Sequence, residues 1–204
     1  DPQHRRRNPN DVSGGGLITH LTMWAETDEG LVNLMKASTD ANLEGRVMRY
    51  PRMDKEILAK YSKGIIASSG CPSGIIQTRL LLGQFDEALR AAGELQDIFG
   101  RDNFYIEFMD HGLKIEKQVT DGLLDIAKKL NAPLLATNDS HYVRAEDAGS
   151  QDAMLCINSG STLDEPGRFK FDGTGYYLKS AEEMRELFKD IPEACDNTLE
   201  IAER

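Results

Sequence analysis

From residue 64 to residue 157, short apolar runs alternate with longer segments whose apolar residues recur every three or four positions. That alternation narrows the choice of fold more than any other feature. A run too short for a helix, bounded by turn residues, reads as a buried strand, and a three-and-four spacing reads as one face of a helix. Gly64 to Ser69, Phe104 to Met109 and Leu134 to Asn138 are the strands. Between them, Phe85, Ala88, Leu89, Ala92, Leu95 and Phe99 stripe one helix, which Gly100 ends. Ile115, Val119, Leu123, Ile126, Ala127 and Leu130 stripe the next, stopped by Asn131 and Pro133. Ala145 to Ile157 continues as a helix. Strand, helix, strand in this order predicts parallel βαβ units and an α/β fold.

The flanks are less regular. Residues 1–16 are polar, end in Gly14-Gly15-Gly16 and read as a loop. Leu17 to Trp24 is a predicted strand, and Gly30 to Ala41 a helix with Leu31, Leu34 and Met35 on one face. Asp54 caps a short helix carrying Ile57 and Leu58. The βα units therefore occupy residues 17–157. The polar stretch from Asn158 to Asp164 divides them from a strand and helix segment over 158–204. In that segment Ser180-Ala181-Glu182-Glu183 is a capping box, and a last helix starts near Pro192.

Composition removes several classes of function. Hydrophobic residues make up 40% and charged residues 28%, enough to build a core. The net charge of −10 argues against a sequence-independent duplex binder, which needs a basic surface. The one basic cluster, Arg5-Arg6-Arg7, reads as a solvated loop. Cys71, Cys156 and Cys195 are far apart and form no C-x-x-C pair. A zinc ribbon and a disulfide framework are both disfavoured, and a reducing, cytoplasmic compartment is expected. No apolar run approaches the roughly 18 residues of a membrane span, and the start has no apolar signal core. The chain also starts without an initiator methionine, so a fragment or a processed piece is expected.

Groups able to do chemistry gather at the predicted strand ends. Cys71 follows the first of the three strands, Asp110 and His111 the second, Asp139 and His141 the third, and His20 lies in the predicted strand from Leu17. In parallel α/β folds ligands bind at the carboxyl ends of the strands. Residues i and i+2 of an extended chain point the same way, so Asp139 and His141 are placed to share one metal ion. Each residue also has an ordinary structural reading. His20 fits a hydrogen-bonded core histidine, Cys71 a small residue in a tight turn, Asp110 a helix cap, and Asp139 with His141 a strand-end turn. Trp24, Tyr176 and Tyr177 read as packing residues, and Cys156 and Cys195 carry no chemistry. Gly70 and Gly74 lack the Lys and Ser/Thr of a phosphate loop.

Taken together the motifs carry a resemblance. Thr19-His20-Leu21-Thr22, Gly70-Cys71-Pro72-Ser73-Gly74, Phe104 to Gly112 and Ala136-Thr137-Asn138-Asp139-Ser140-His141-Tyr142 occur in an ordered, specific series. Arg168-Phe169-Lys170-Phe171 and Tyr176-Tyr177-Leu178-Lys179-Ser180 complete it. The chain resembles the C-terminal portion of the PHP (polymerase and histidinol phosphatase) domain of bacterial DNA polymerase III alpha subunits. It is similar to the subgroup that keeps its metal ligands.

The resemblance implies a partial, distorted (β/α)7 barrel lacking its first strands. It also implies a cleft holding a cluster of divalent metals, zinc or manganese, and a 3′–5′ exonuclease within a DNA-directed DNA polymerase. By motif position, His20, Cys71, Asp139 and His141 are the metal ligands, and no further catalytic residue is assigned. Asp110 and His111 are expected to line the cleft without ligating. The family's His-x-His motif, its Thr-Asp-His-Gly turn and a glutamate on a further strand are not found here, nor are the palm, fingers and thumb. The expected site of this piece alone is therefore partial or empty, and its open sheet edges invite self-association. Primer–template DNA and other polymerase III holoenzyme subunits are the implied partners, with no membrane. Two other readings stand beside this one: a catalytically inert platform for the polymerase, and a free-standing PHP-type phosphoesterase acting on a small phosphate ester.

Overall fold

A computed structural model of the chain describes residues 19–46 and 51–204. The predicted loop over 1–16, its arginine cluster and the first two residues of the predicted strand from Leu17 lie outside the described residues. Among the described residues four strands form one sheet in the order β1-β2-β3-β4: β1 (Thr22–Ala25), β2 (Ile65–Ser68), β3 (Phe104–Phe108) and β4 (Leu134–Ala136). The pairs β2–β3 and β3–β4 are parallel, as the alternating pattern predicts, while β1 runs antiparallel to β2 with Thr22 opposite Ser68. The fold is thus mixed α/β. Among the described residues the sheet is open and four-stranded, so the barrel expectation reduces to this α/β arrangement.

Every residue of β2, β3 and β4 is buried, because both faces of the sheet are covered. Ile65, Ala67, Phe104, Ile106, Phe108, Leu134 and Ala136 point to the main core. The alternate positions Ile66, Tyr105 and Leu135 meet Trp24 and Ile201 in a smaller cluster on the other face. Helices α1 (Asp28–Leu43) and α2 (Lys55–Lys60) link β1 to β2. Helices α3 (Ile75–Leu81) and α4 (Phe85–Phe99) link β2 to β3, and α5 (Lys114–Leu130) links β3 to β4. The predicted stripes are the buried faces: Ala88, Ala92, Leu95 and Phe99 in α4, and Val119, Leu123, Ile126 and Ala127 in α5. Gly100 ends α4 at a positive φ of 94°, and Asn131 (φ 48°) ends α5 in left-handed geometry.

Four local expectations change. Helix α3 is additional to the pattern; it is too short to show a stripe. The predicted 145–157 helix divides into a 3₁₀ turn (Ala145–Asp147) and α6 (Ala148–Ser159). His20 does not lie within a strand: it precedes β1 and makes an isolated bridge with Gly74. Strand β4 stops at Ala136, two residues earlier than predicted, and Thr137 opens the loop that follows. The segment beyond residue 158 folds back onto the core. The Ser180–Glu183 box caps α7 (Ala181–Leu187), and Asn197 of α8 (Pro192–Glu203) donates to the Leu134 carbonyl at 2.7 Å. Phe188, Ala194 and Cys195 join the main core.

Candidate functional site

Because β2, β3 and β4 are parallel, their carboxyl ends lie along one edge of the sheet, and antiparallel β1 brings its amino end there too. The candidate residues His20, Cys71, Asp110, His111, Asp139 and His141 therefore sit along this edge. His20 and Cys71 form one pair, with His20 Nδ1 3.2 Å from Cys71 Sγ. Their approach depends on Gly70, whose φ is 80° and where a Cβ would come within 3.0 Å of the His20 carbonyl oxygen. The His20 N–H donates to the Ser73 carbonyl at 3.1 Å and closes the same turn. Burial raises the pKa of the Cys71 thiol, and the nearby carboxylates of Asp139 and Glu107 add to the rise against hydrogen bonding from Ser73. Asp139 is thus close enough for its charge to act on Cys71.

Asp139 and His141 form the second pair, though not by the extended-chain geometry expected of them. Asp139 has φ 46°, so the chain turns there. His141 Nδ1 lies 2.6 Å from the Asp139 carbonyl oxygen, and 3.9 Å from Oδ1 of its carboxylate. A ring nitrogen facing a carbonyl must carry the proton, which leaves Nε2 of the neutral ring as the lone-pair nitrogen. Phe171 packs edge-on against the His141 ring at 4.6 Å. In kind, the four side chains fit a divalent ion of intermediate softness: one thiol, two imidazoles and one carboxylate. In arrangement they do not close a shell. Among the described residues no group of three or more His, Cys, Asp or Glu side chains is arranged to hold a metal ion.

Asp110 and His111 serve the backbone. Asp110 Oδ1 accepts from Gly112 N at 2.8 Å, a local turn ahead of α5. The His111 side chain is only 2% exposed and points inward. Its Nδ1 lies 2.6 Å from Glu116 Oε1, its Nε2 2.7 Å from the Asn138 carbonyl, and its ring stacks on Tyr176 at 4.2 Å. Burial alone would lower the His111 pKa, but hydrogen bonds to Glu116 and Asn138 outweigh it, and the net shift is upward. Glu116 is correspondingly lowered: burial raises it, and its bonds to His111 and to the His111 and Leu113 amides reverse the sign.

Two buried carboxylates went unread as functional in the sequence. Glu107, 3% exposed on β3, accepts from Ser68 Oγ, from Gly70 N at 3.1 Å and from Thr137 Oγ1 at 2.5 Å. It ties the ends of β2 and β4 together across β3. A charged residue inside the apolar run Phe104 to Met109 was the available signal. Glu116 carried no such signal, because its partner is fixed only by the turn at Gly112.

Fold and site together describe an α/β chain that collects thiol, imidazole and carboxylate groups at the carboxyl ends of its strands. The chain belongs to the PHP domain family, whose model, described as "PHP domain", matches residues 10–111. It is similar to the DNA polymerase III subunit alpha of Saccharopolyspora erythraea, with 59% identity over 195 residues, covering 95% of this chain and 16% of that protein. The subunit of the same name from Mycobacterium tuberculosis is 56% identical over the same shares. That from Borreliella burgdorferi is 41% identical, covering 93% of this chain and 16% of that protein. The chain spans about one sixth of the length of these relatives. Among the described residues no helix is long and apolar enough to cross a membrane.

Proposed function

We propose that this chain is the C-terminal portion of the PHP domain of a DNA polymerase III alpha subunit, carrying part of its ligand set. In the intact protein its strand-end edge serves a metal-dependent 3′–5′ exonuclease that trims DNA primer ends in proofreading. What supports the reading is one observation above the others: the His20–Cys71 pair and the Asp139–His141 pair share one edge of the sheet, within electrostatic reach of each other. His20, Cys71, Asp139 and His141 would hold zinc or manganese, with the remaining ligands coming from outside these four. The chemistry such an ion would supply, when bound, is a water of lowered pKa and stabilisation of charge on the phosphoryl oxygens. The chain's own residues prepare for this. Cys71 rests as a thiol whose proton leaves when a cation binds. The Asp139 carboxylate supplies negative charge to the same space. His141 is held with Nε2 as its lone-pair nitrogen. Relatives between 41% and 59% identical carry the name DNA polymerase III subunit alpha, which favours a polynucleotide over a small phosphate ester as substrate.

Asp139→Asn in the intact protein tests the reading. Exonuclease activity is expected to fall beyond the ~10–100-fold typical of outer-shell changes, with DNA synthesis retained. Unchanged exonuclease activity would instead assign the domain the role of an inert platform. With its donors in two pairs, and no group of three or more arranged to hold an ion among the described residues, the 204-residue chain alone is expected to bind zinc or manganese weakly by calorimetry.

A further inference from the structure

We propose that His111 is a positioning residue: an imidazolium held between Glu116 and the Asn138 carbonyl that fixes the backbone presenting Asp139 and His141. The inference rests on the reading of those two residues as metal ligands, and His111 touches neither the metal nor the substrate. Its geometry sets its protonation. Nδ1 faces a carboxylate oxygen and Nε2 faces a carbonyl oxygen, both pure acceptors at hydrogen-bond distance, so both ring nitrogens must donate. The ring is buried, stacked on Tyr176, and has nowhere else to turn.

What the bond holds is the residue immediately before Asp139. Every polar atom of the Asn138 side chain is also engaged. Nδ2 donates to the Tyr177 carbonyl at 2.6 Å and to Ser140 Oγ at 3.2 Å, and Oδ1 accepts from Lys179 Nζ at 2.6 Å. Fixing Asn138 fixes the start of the left-handed turn at Asp139, which a non-glycine residue adopts only when its surroundings hold it there. The far side of the turn is held by the His141 amide, which donates to the Tyr176 carbonyl at 2.8 Å. Tyr176 is also the residue on which His111 stacks. His111 thus joins the start of α5, the loop after β4 and the 175–179 segment at one point. A ring donor bonded to the carbonyl that precedes a metal-binding carboxylate sets where that carboxylate sits before any metal arrives.

The test separates the two hydrogen bonds of the ring. In the intact protein, His111→Gln places an amide donor where Nε2 stood and keeps the bond to Asn138. His111→Asn places one where Nδ1 stood and keeps the bond to Glu116. Zinc and manganese affinity and exonuclease activity are measured, with Asp139→Asn alongside and thermal unfolding of each variant. The expected order is a Gln variant within about threefold of the parent and an Asn variant weaker by about 10–100-fold, the range of outer-shell ligand supports. A purely packing role would not favour Gln. Equal losses in the two variants, through unfolding or through metal binding, overturn the proposal, as does a parent-like Asn variant. If Asp139→Asn itself leaves metal binding and hydrolysis intact, it is the metal-site reading that fails.

Discussion

At the residue scale, the pairing of His111 with Glu116 makes stability depend on pH with a definite sign. The His111 pKa is raised on folding, so its contribution is complete below the ordinary histidine value of about 6.5 and is lost as pH climbs through the raised value. The Glu116 pKa is lowered, so its contribution is complete above the ordinary glutamate value of about 4.3 and is lost as pH falls through the lowered value. Lys179 opposes the charge on His111, and Tyr176 stacks on it without ionising in this range. The pair therefore stabilises most between about pH 4.3 and 6.5. Denaturant unfolding of the parent and of Glu116→Gln at pH 5.5 and pH 9 checks this, with the gap between them expected to narrow at pH 9. A gap of constant size would remove the charge from the account.

At the scale of elements, the contact between α1 and the start of β2 turns on two glycines. A Cβ on Gly30 would sit 1.7 Å from the Gly64 carbonyl oxygen, and Gly64 itself has φ 71°. Replacing a helical glycine by alanine gains about 1 kcal/mol in propensity. That gain is too small to offset a backbone clash, which requires α1 to move off the sheet. Gly30→Ala is therefore expected to destabilise by about 2 kcal/mol or more despite the better helix former. Gly93 in α4 is the matched control, since its nearest obstacle is Leu130 Cδ2 at 3.8 Å. Gly93→Ala should stabilise by about 0.5–1 kcal/mol. Thermal melts of the two variants carry the comparison, and a stabilised Gly30→Ala would contradict the close approach.

At the scale of the whole molecule, Glu107 joins the site to the sheet. Its carboxylate takes hydrogen bonds from the ends of β2 and β4, and its own amide donates to Ser69 Oγ at 2.9 Å. Glu107→Ala leaves Gly70 N and two hydroxyls without their acceptor in a buried place, a cost of about 3 kcal/mol or more. Because Gly70 precedes Cys71 and Thr137 lies two residues before Asp139, the loss should reach both donor pairs. Urea unfolding together with metal titration of Glu107→Ala is expected to show both a lower midpoint and weaker binding. Loss of stability with metal affinity unchanged would confine Glu107 to the core.

The amino-acid sequence by itself determined the parallel β2–β3–β4 units, the buried faces of α4 and α5, and the Ser180–Glu183 cap. These follow from spacing within a dozen or so residues, where backbone geometry and apolar periodicity dictate the outcome. Motif order also brought His20, Cys71, Asp139 and His141 forward as a set. Only the tertiary structure decided that β1 runs antiparallel, that Asp139 and His141 meet through a left-handed turn and not an extended strand, and that His111 is spent on Glu116 and Asn138. Each of these depends on partners distant in sequence or on a single backbone dihedral. Burial and hydrogen bonding select such contacts after the chain has packed, and no local pattern of residues encodes them.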